Sequence, residues 1–252
     1  MTSDSGALSR TTPCVERLGQ VFFGFRDYLT PVGLAITLLV SRPQPFLGSP
    51  RADGWLDLVG IAVAALGQSL RIAVIGYAYI RRGGIDKRIA APLLVREGFY
   101  GHSRNPMYVG NFGLLLGLSL VYNAPVVYLV ILPAFVFAIW TIIRAEERFL
   151  ADKFGADYQA YSREVPRLLP RLRGLRETMA GMHFDWKRVL RKEYTTTFNW
   201  LTAVLWIIGY ERVLWGGFDA SRPLLLGLAC VQALLLVGWG IARWLKKTRR
   251  IK

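Results

Sequence analysis

The amino-acid sequence predicts an all-α fold: a multi-pass membrane helical bundle of about six transmembrane helices, with cytoplasmic amphipathic helices attached. Three observations carry that prediction. The 252-residue chain is 53% hydrophobic with a mean hydropathy of +0.31, too apolar for an ordinary soluble domain. Its apolar residues gather into six runs, near 18–40, 56–80, 107–122, 126–143, 198–214 and 223–244. Each approaches the roughly 20 residues that cross a hydrocarbon core. Finally, 26 of the 32 Lys and Arg residues fall in 1–17, 81–106, 144–197 and 243–252, while the alternate loops carry only Arg42, Arg51, Arg212 and Arg222. That bias places both termini in the cytoplasm; the plasma (inner) membrane is the expected location.

The net charge of +15 follows from the same loops, which lie against an anionic leaflet. No recognition motif or base-stacking platform accompanies it, so no nucleic-acid partner is expected. Cys14, Cys230, His102 and His183 stand apart from one another, so neither a disulfide framework nor a metal site is expected. No cleavable signal precedes the first run, which reads as a retained span.

Four parts follow along the chain: a disordered tail (1–17), a two-span hairpin with its loop (18–89), a core (90–172), and an interfacial helix with a closing two-span hairpin (173–252). The first span carries Arg26 and Asp27. Pro43, Pro45 and Pro50 mark an outer loop. Arg71 lies well inside the second apolar run, where a lone charge costs about 2.5–3.5 kcal/mol. It is expected either in a salt bridge with Asp27 or in binding a substrate. Gly83-Gly84 break the chain, and 85–104 reads as a charged loop.

Asn105-Pro106 then starts the third span, proline in the first turn and asparagine as N-cap. Gly110, Gly113 and Gly117 form a small-residue strip for helix packing. Asn123-Ala124-Pro125 is a tight outer turn, and Pro133 a kink in the fourth span. After Arg144 the residues Glu147, Leu150, Phe154, Tyr158, Tyr161 and Val165 share one helical face, interrupted at Gly155 and ended by Pro166 and Pro170. Residues 184–197 read as an interfacial helix, and Glu211-Arg212 as a local pair or interfacial anchor.

Two polar motifs therefore meet on one face of the membrane: EGFYGHSRNPMYVG (97–110) and the pair Glu146-Glu147. A helix start beside Tyr100, Arg104 and Tyr108 attracts an anion. Glu146 attracts an ammonium or hydroxyl groups, and tyrosine faces accept a cation. S-adenosylmethionine carries all of these features, as in part does a nucleotide.

Together, residues 98–110 and the run from Glu146 through Phe154-Gly155 and Tyr161 to Pro170 resemble the isoprenylcysteine carboxyl methyltransferase family and its phospholipid methyltransferase relatives. The resemblance covers about 90–172. It implies an S-adenosylmethionine-dependent membrane methyltransferase with cofactor contacts at Pro92, Leu93, Leu94, Val95, Tyr100, Asn105, Pro106, Met107, Tyr108 and Glu146. Arg144, Glu147 and Arg71 are the candidates for binding the substrate, a lipid-soluble or small-molecule acceptor. Two departures stand out. Asn105 occupies the position of a histidine in the eukaryotic enzymes, and Ile142 the position of their substrate-carboxylate arginine. Glu147, Glu193 or Tyr108 are candidate bases. Alternatives are an NADPH-dependent membrane reductase of the sterol reductase type and a non-catalytic membrane adaptor.

Overall fold

A computed structural model describes residues 14–77, 83–85 and 88–248. The six apolar runs become six long helices: α1 (Cys14–Val40), α2 (Pro50–Tyr77), α3 (Pro106–Tyr122), α4 (Leu132–Glu164), α6 (Trp186–Gly216) and α7 (Phe218–Lys247). A short α5 (Leu175–Ala180) and a two-stranded antiparallel hairpin, β1 (Gly83–Ile85) with β2 (Arg88–Ala90), complete the described elements. That hairpin stands in the stretch expected as open loop. Two helices, α2 and α7, and the continuous helical stretch Val127–Glu164 that contains α4 are long and apolar enough to cross a membrane; α3 is a shorter apolar helix. The chain is an integral membrane protein, and its many exposed Leu, Val, Ile and Trp side chains suit lipid contact. The expected disordered tail lies, up to residue 13, outside the described residues.

Local chemistry accounts for the helix ends. Pro50 and Pro106 stand in the first turns of α2 and α3, where a missing N–H costs nothing. Asn123 closes α3 in the left-handed region (φ 40°), its amide donating to the Ser119 carbonyl. Residues Val127–Ile131 form a π-helical turn immediately before Pro133. A widened turn absorbs the hydrogen bond that proline cannot make, which is the local form of the expected kink.

The core is built by pairing. α2 lies along α3, α1 along α4, and α6 against both α7 and α2. The α2–α3 contact is so close that a Cβ on Gly67 would stand 2.7 Å from the Gly110 carbonyl oxygen, and one on Gly113 would stand 2.9 Å from Gly67 Cα. Gly110, Gly113 and Gly117 are thus a packing strip as expected, with Gly60 and Gly67 its counterpart on α2. Val121, Tyr122, Val127 and Ile207 form one buried cluster, and Ala64, Leu114, Trp200 and Val204 another.

One expectation about the third quarter of the chain changes. Residues 184–197 are not a separate interfacial helix but the first turns of α6, which runs unbroken for 31 residues. Asp185 starts it by accepting the Arg188 amide at 2.9 Å. Gly155 interrupts α4 as expected, bending it (φ 50°, ψ −122°), and the helix continues to Glu164, just before Pro166. Its expected amphipathic face is observed: Leu150, Tyr158, Tyr161 and Val165 bury against Ala91, with Leu94 and Phe154 beside them.

Candidate functional site

The segment before α3 is folded by its glycines and aromatics. Gly98 takes a left-handed turn (φ 63°) into one 3-10 turn, Gly98–Gly101, that buries Phe99 and Tyr100 against Val74 of α2. The chain then runs alongside the segment that follows α4, and the two are laced together. The Arg104 amide donates to Pro166 O and the Arg171 amide to His102 O, both at 2.9 Å. Ser103 Oγ donates to Leu168 O at 2.8 Å, and Asn105 Nδ2 to Arg167 O at 3.1 Å. Tyr161 donates its hydroxyl to the Tyr100 carbonyl at 2.7 Å.

His102 joins this lacing. Its Nδ1 lies 2.7 Å from the Arg171 carbonyl and its Nε2 2.9 Å from Thr178 Oγ1. A carbonyl only accepts, so Nδ1 carries the proton. Sequence spacing left His102 isolated, yet tertiary packing gives it two partners. Asn105 likewise differs from expectation. It occupies the N-cap position, but its side chain makes no cap bond and is spent on Arg167.

The glutamate pair divides. Glu147, 9% exposed, is gripped by Arg104 at 3.1 Å and Arg167 at 2.8 Å. Arg104 also reaches Tyr158 OH at 3.4 Å. A carboxylate so enclosed is a strut between α4, the 104 segment and the 167 segment. Glu146, half-buried, accepts from the Tyr108 hydroxyl at 3.1 Å, joining α4 to the first turn of α3.

Around that contact stand several of the predicted cofactor residues. Tyr100, Asn105 and Pro106 are buried, and Met107 and Tyr108 half-buried. Leu94 and Val95 pack half-buried on the α4 and Tyr100 clusters, while Pro92 and Leu93 are exposed. The amides of Asn105, Tyr108 and Val109 are already bonded, to Ser103 Oγ and Asn105 O, and Pro106 has none. Anion attraction at this terminus therefore narrows to the Met107 amide and the helix dipole.

Two substrate candidates lie elsewhere. Arg144 is exposed, whereas Ile142 is buried at 1% exposure. Arg71 forms a bidentate pair with Glu193 of α6, Nη2 to Oε1 at 2.7 Å and Nε to Oε2 at 2.9 Å. Gln68 adds a bond to the same glutamate at 3.1 Å, and Asn111 accepts from Arg71 Nη1. The salt-bridge reading of Arg71 is right in kind, with Glu193 as partner; the Asp27 side chain lies outside the described residues. Such a bidentate, fully hydrogen-bonded pair is how a membrane interior retains an arginine.

Beside this pair lie two cavities. One of about 520 Å³ is lined by Ser69, Ile72, Ala73, Tyr77, Phe184 and Trp186. A neighbour of about 360 Å³, sharing Ile72 and Trp186, runs between α6 and α7 past Glu193, Phe198 and Trp239. Tyr77 and Ala73 separate the first from the Phe99–Tyr100 layer.

Packing of α2 on α6 brings Asp53, Asp57 and Glu211 together, although no spacing in the sequence joins them. Glu211 is 1% exposed and makes no ion pair with Arg212 among the described residues, so it is neither a local pair nor an anchor.

Residues 56–157 match the family model described as phospholipid methyltransferase. Similar curated proteins include the cobalt-zinc-cadmium resistance protein CzcN of Cupriavidus metallidurans, 32% identical over 50% of this chain and 56% of that protein. The protein-S-isoprenylcysteine O-methyltransferase of Saccharomyces cerevisiae is 32% identical over 31% of this chain and 33% of its own. The human protein of the same name is 27% identical over 48% and 44%. The chain thus spans between a third and just over half of the relatives it matches. No solved structure matches. The matched stretch takes in residues 98–108 and the glutamate pair, so the part of the chain that carries both motifs is similar to the phospholipid and isoprenylcysteine methyltransferases.

Proposed function

We propose that this chain is an integral-membrane methyltransferase that binds S-adenosylmethionine where residues 98–108 meet Glu146, on the cytoplasmic side. The single observation that carries this is the Tyr108–Glu146 contact at the head of α3, beside a segment whose backbone is locked in place from residue 102 to 105. The residues present fit such a donor. Glu146 supplies a carboxylate for hydroxyl or ammonium groups, and the Met107 amide with the α3 dipole suits a carboxylate. The half-buried Tyr108 supplies an aromatic face for the adenine or the positive centre.

When bound, the donor brings an already activated methyl group. The protein's task is then to hold an acceptor in line with it and keep water out. Two of the three candidate bases are occupied: Glu147 by Arg104 and Arg167, Glu193 by Arg71. This favours an acceptor that attacks without giving a proton to a carboxylate, such as one already anionic. A lipid-soluble acceptor enters from the bilayer. Prenylcysteine is not the favoured acceptor, because buried Ile142 offers its carboxylate nothing and Arg144 stands exposed.

Calorimetric titration of S-adenosylmethionine into the purified protein tests the reading. Replacing Glu146 by Gln removes a charged hydrogen-bond acceptor worth about 1.5–3 kcal/mol, an expected weakening of about 10- to 100-fold. Equal binding by both proteins removes Glu146 from the site, and binding of NADPH in place of the methyl donor makes the chain a reductase. Radiolabelled donor with lipid extracts then identifies the acceptor class.

A further inference from the structure

At the far end of α2 from Tyr77, three carboxylates converge. Asp53 and Asp57 stand one turn apart on α2, and Glu211 comes from α6. One oxygen of each lies within 4.8 Å of those of the other two. All three residues are buried, at 2%, 7% and 1% exposure. Asp53 Oδ1 accepts the Phe46 amide at 2.9 Å. Asp57 Oδ1 and Glu211 Oε1, by contrast, are shut away from solvent with no hydrogen-bond partner. Arg212 is close enough to act electrostatically on Asp57 and Glu211, but it pairs with neither among the described residues.

Orphaned carboxylate oxygens are among the costliest groups a fold can bury, and three together repel. A cation at their centre satisfies both demands. Its identity follows from the burial. Magnesium sheds its hydration shell reluctantly and keeps several waters, which a site this buried does not admit, whereas calcium accepts a mostly protein set of carboxylate oxygens. An all-carboxylate set with no imidazole or thiolate also suits an oxygen-preferring ion rather than zinc. We propose that Asp53, Asp57 and Glu211 form a binding site for one calcium-sized divalent cation, bridging α2 to α6. The 20 residues between Asp57 and Tyr77 place it about 30 Å along α2 from the methyl-donor segment, so the two proposals fail separately.

The test is titration of Ca²⁺ into the full chain, purified in detergent and stripped with chelator, with thermal unfolding measured alongside. One Ca²⁺ per chain, a melting temperature raised by about 5 °C or more, and at least tenfold weaker binding of Mg²⁺ are expected. Asp57→Asn and Glu211→Gln should each abolish the Ca²⁺ response while leaving S-adenosylmethionine binding in place. If neither variant folds, the wild-type titration decides alone. Absence of Ca²⁺ binding overturns the proposal, as does Ca²⁺ binding that survives both substitutions. So does a stripped wild type whose stability no divalent cation alters, which would mean carboxyl groups held in the protonated form.

Discussion

At the scale of single residues, the adjacent Glu146 and Glu147 have opposite fates. The helical twist turns them about 100° apart, one toward Tyr108 and the other between two arginines. Glu147→Ala should therefore destabilise the protein by about 3–5 kcal/mol, because it strands the largely buried Arg104. Arg167 is 39% exposed, and Arg167→Ala should cost distinctly less. Thermal unfolding in detergent ranks the two. Asp185 gives a pH signature. The Arg188 amide hydrogen bond holds its carboxyl below the ordinary 3.8. A depressed folded value means that its stabilisation is complete above the unfolded value and is lost as pH falls through the folded one. Asp185→Ala should accordingly weaken α6 at neutral pH and narrow the gap to wild type in acid, as read by circular dichroism.

Elements depend on how closely backbones approach. Gly67→Ala should force α2 from α3 at a cost of about 1–3 kcal/mol, since the added carbon meets the Gly110 carbonyl. Gly227→Ala on α7, where nothing lies within 4 Å, should be neutral or slightly stabilising. Denaturation of the two variants side by side separates packing from helix propensity. The same contrast explains what the sequence made legible. Apolar runs and proline positions announced six helices, and the Gly110–Gly117 strip announced its own use, because these are local patterns. The Arg71–Glu193 pair joins residues 122 apart, and the lacing of His102, Ser103 and Asn105 to 166–171 uses mostly backbone carbonyls. Neither has a local period to read. The two prolines after α4 were the only local hint, and they signalled an ending rather than a partner.

For the whole molecule, the two cysteines are native reporters of how it sits. Cys14 is exposed at the start of α1, and Cys230 is exposed near the middle of the apolar α7. A membrane-impermeant maleimide should label Cys14 only when the cytoplasmic side is open, and Cys230 only after detergent replaces lipid. Labelling of Cys230 in intact membranes would place α7 outside the bilayer. The candidate donor site was legible at this scale as a pairing of two motifs. Its rigidity was not, because rigidity comes from long-range bonds that composition does not encode.

The lacing between 102–105 and 166–171 also has a consequence for synthesis. It closes a loop of about 60 residues that contains the whole α3–α4 hairpin. A ribosome that has emitted the chain only as far as Glu164 has made every predicted donor contact, yet none of the carbonyls that hold residues 102–105 in register. The proposed donor site therefore takes shape only after both helices of the hairpin are in the bilayer and the next few residues have emerged to clasp it. An arrested or truncated chain ending before Pro166 would insert as a membrane protein and still be unable to hold residues 102–105 in shape.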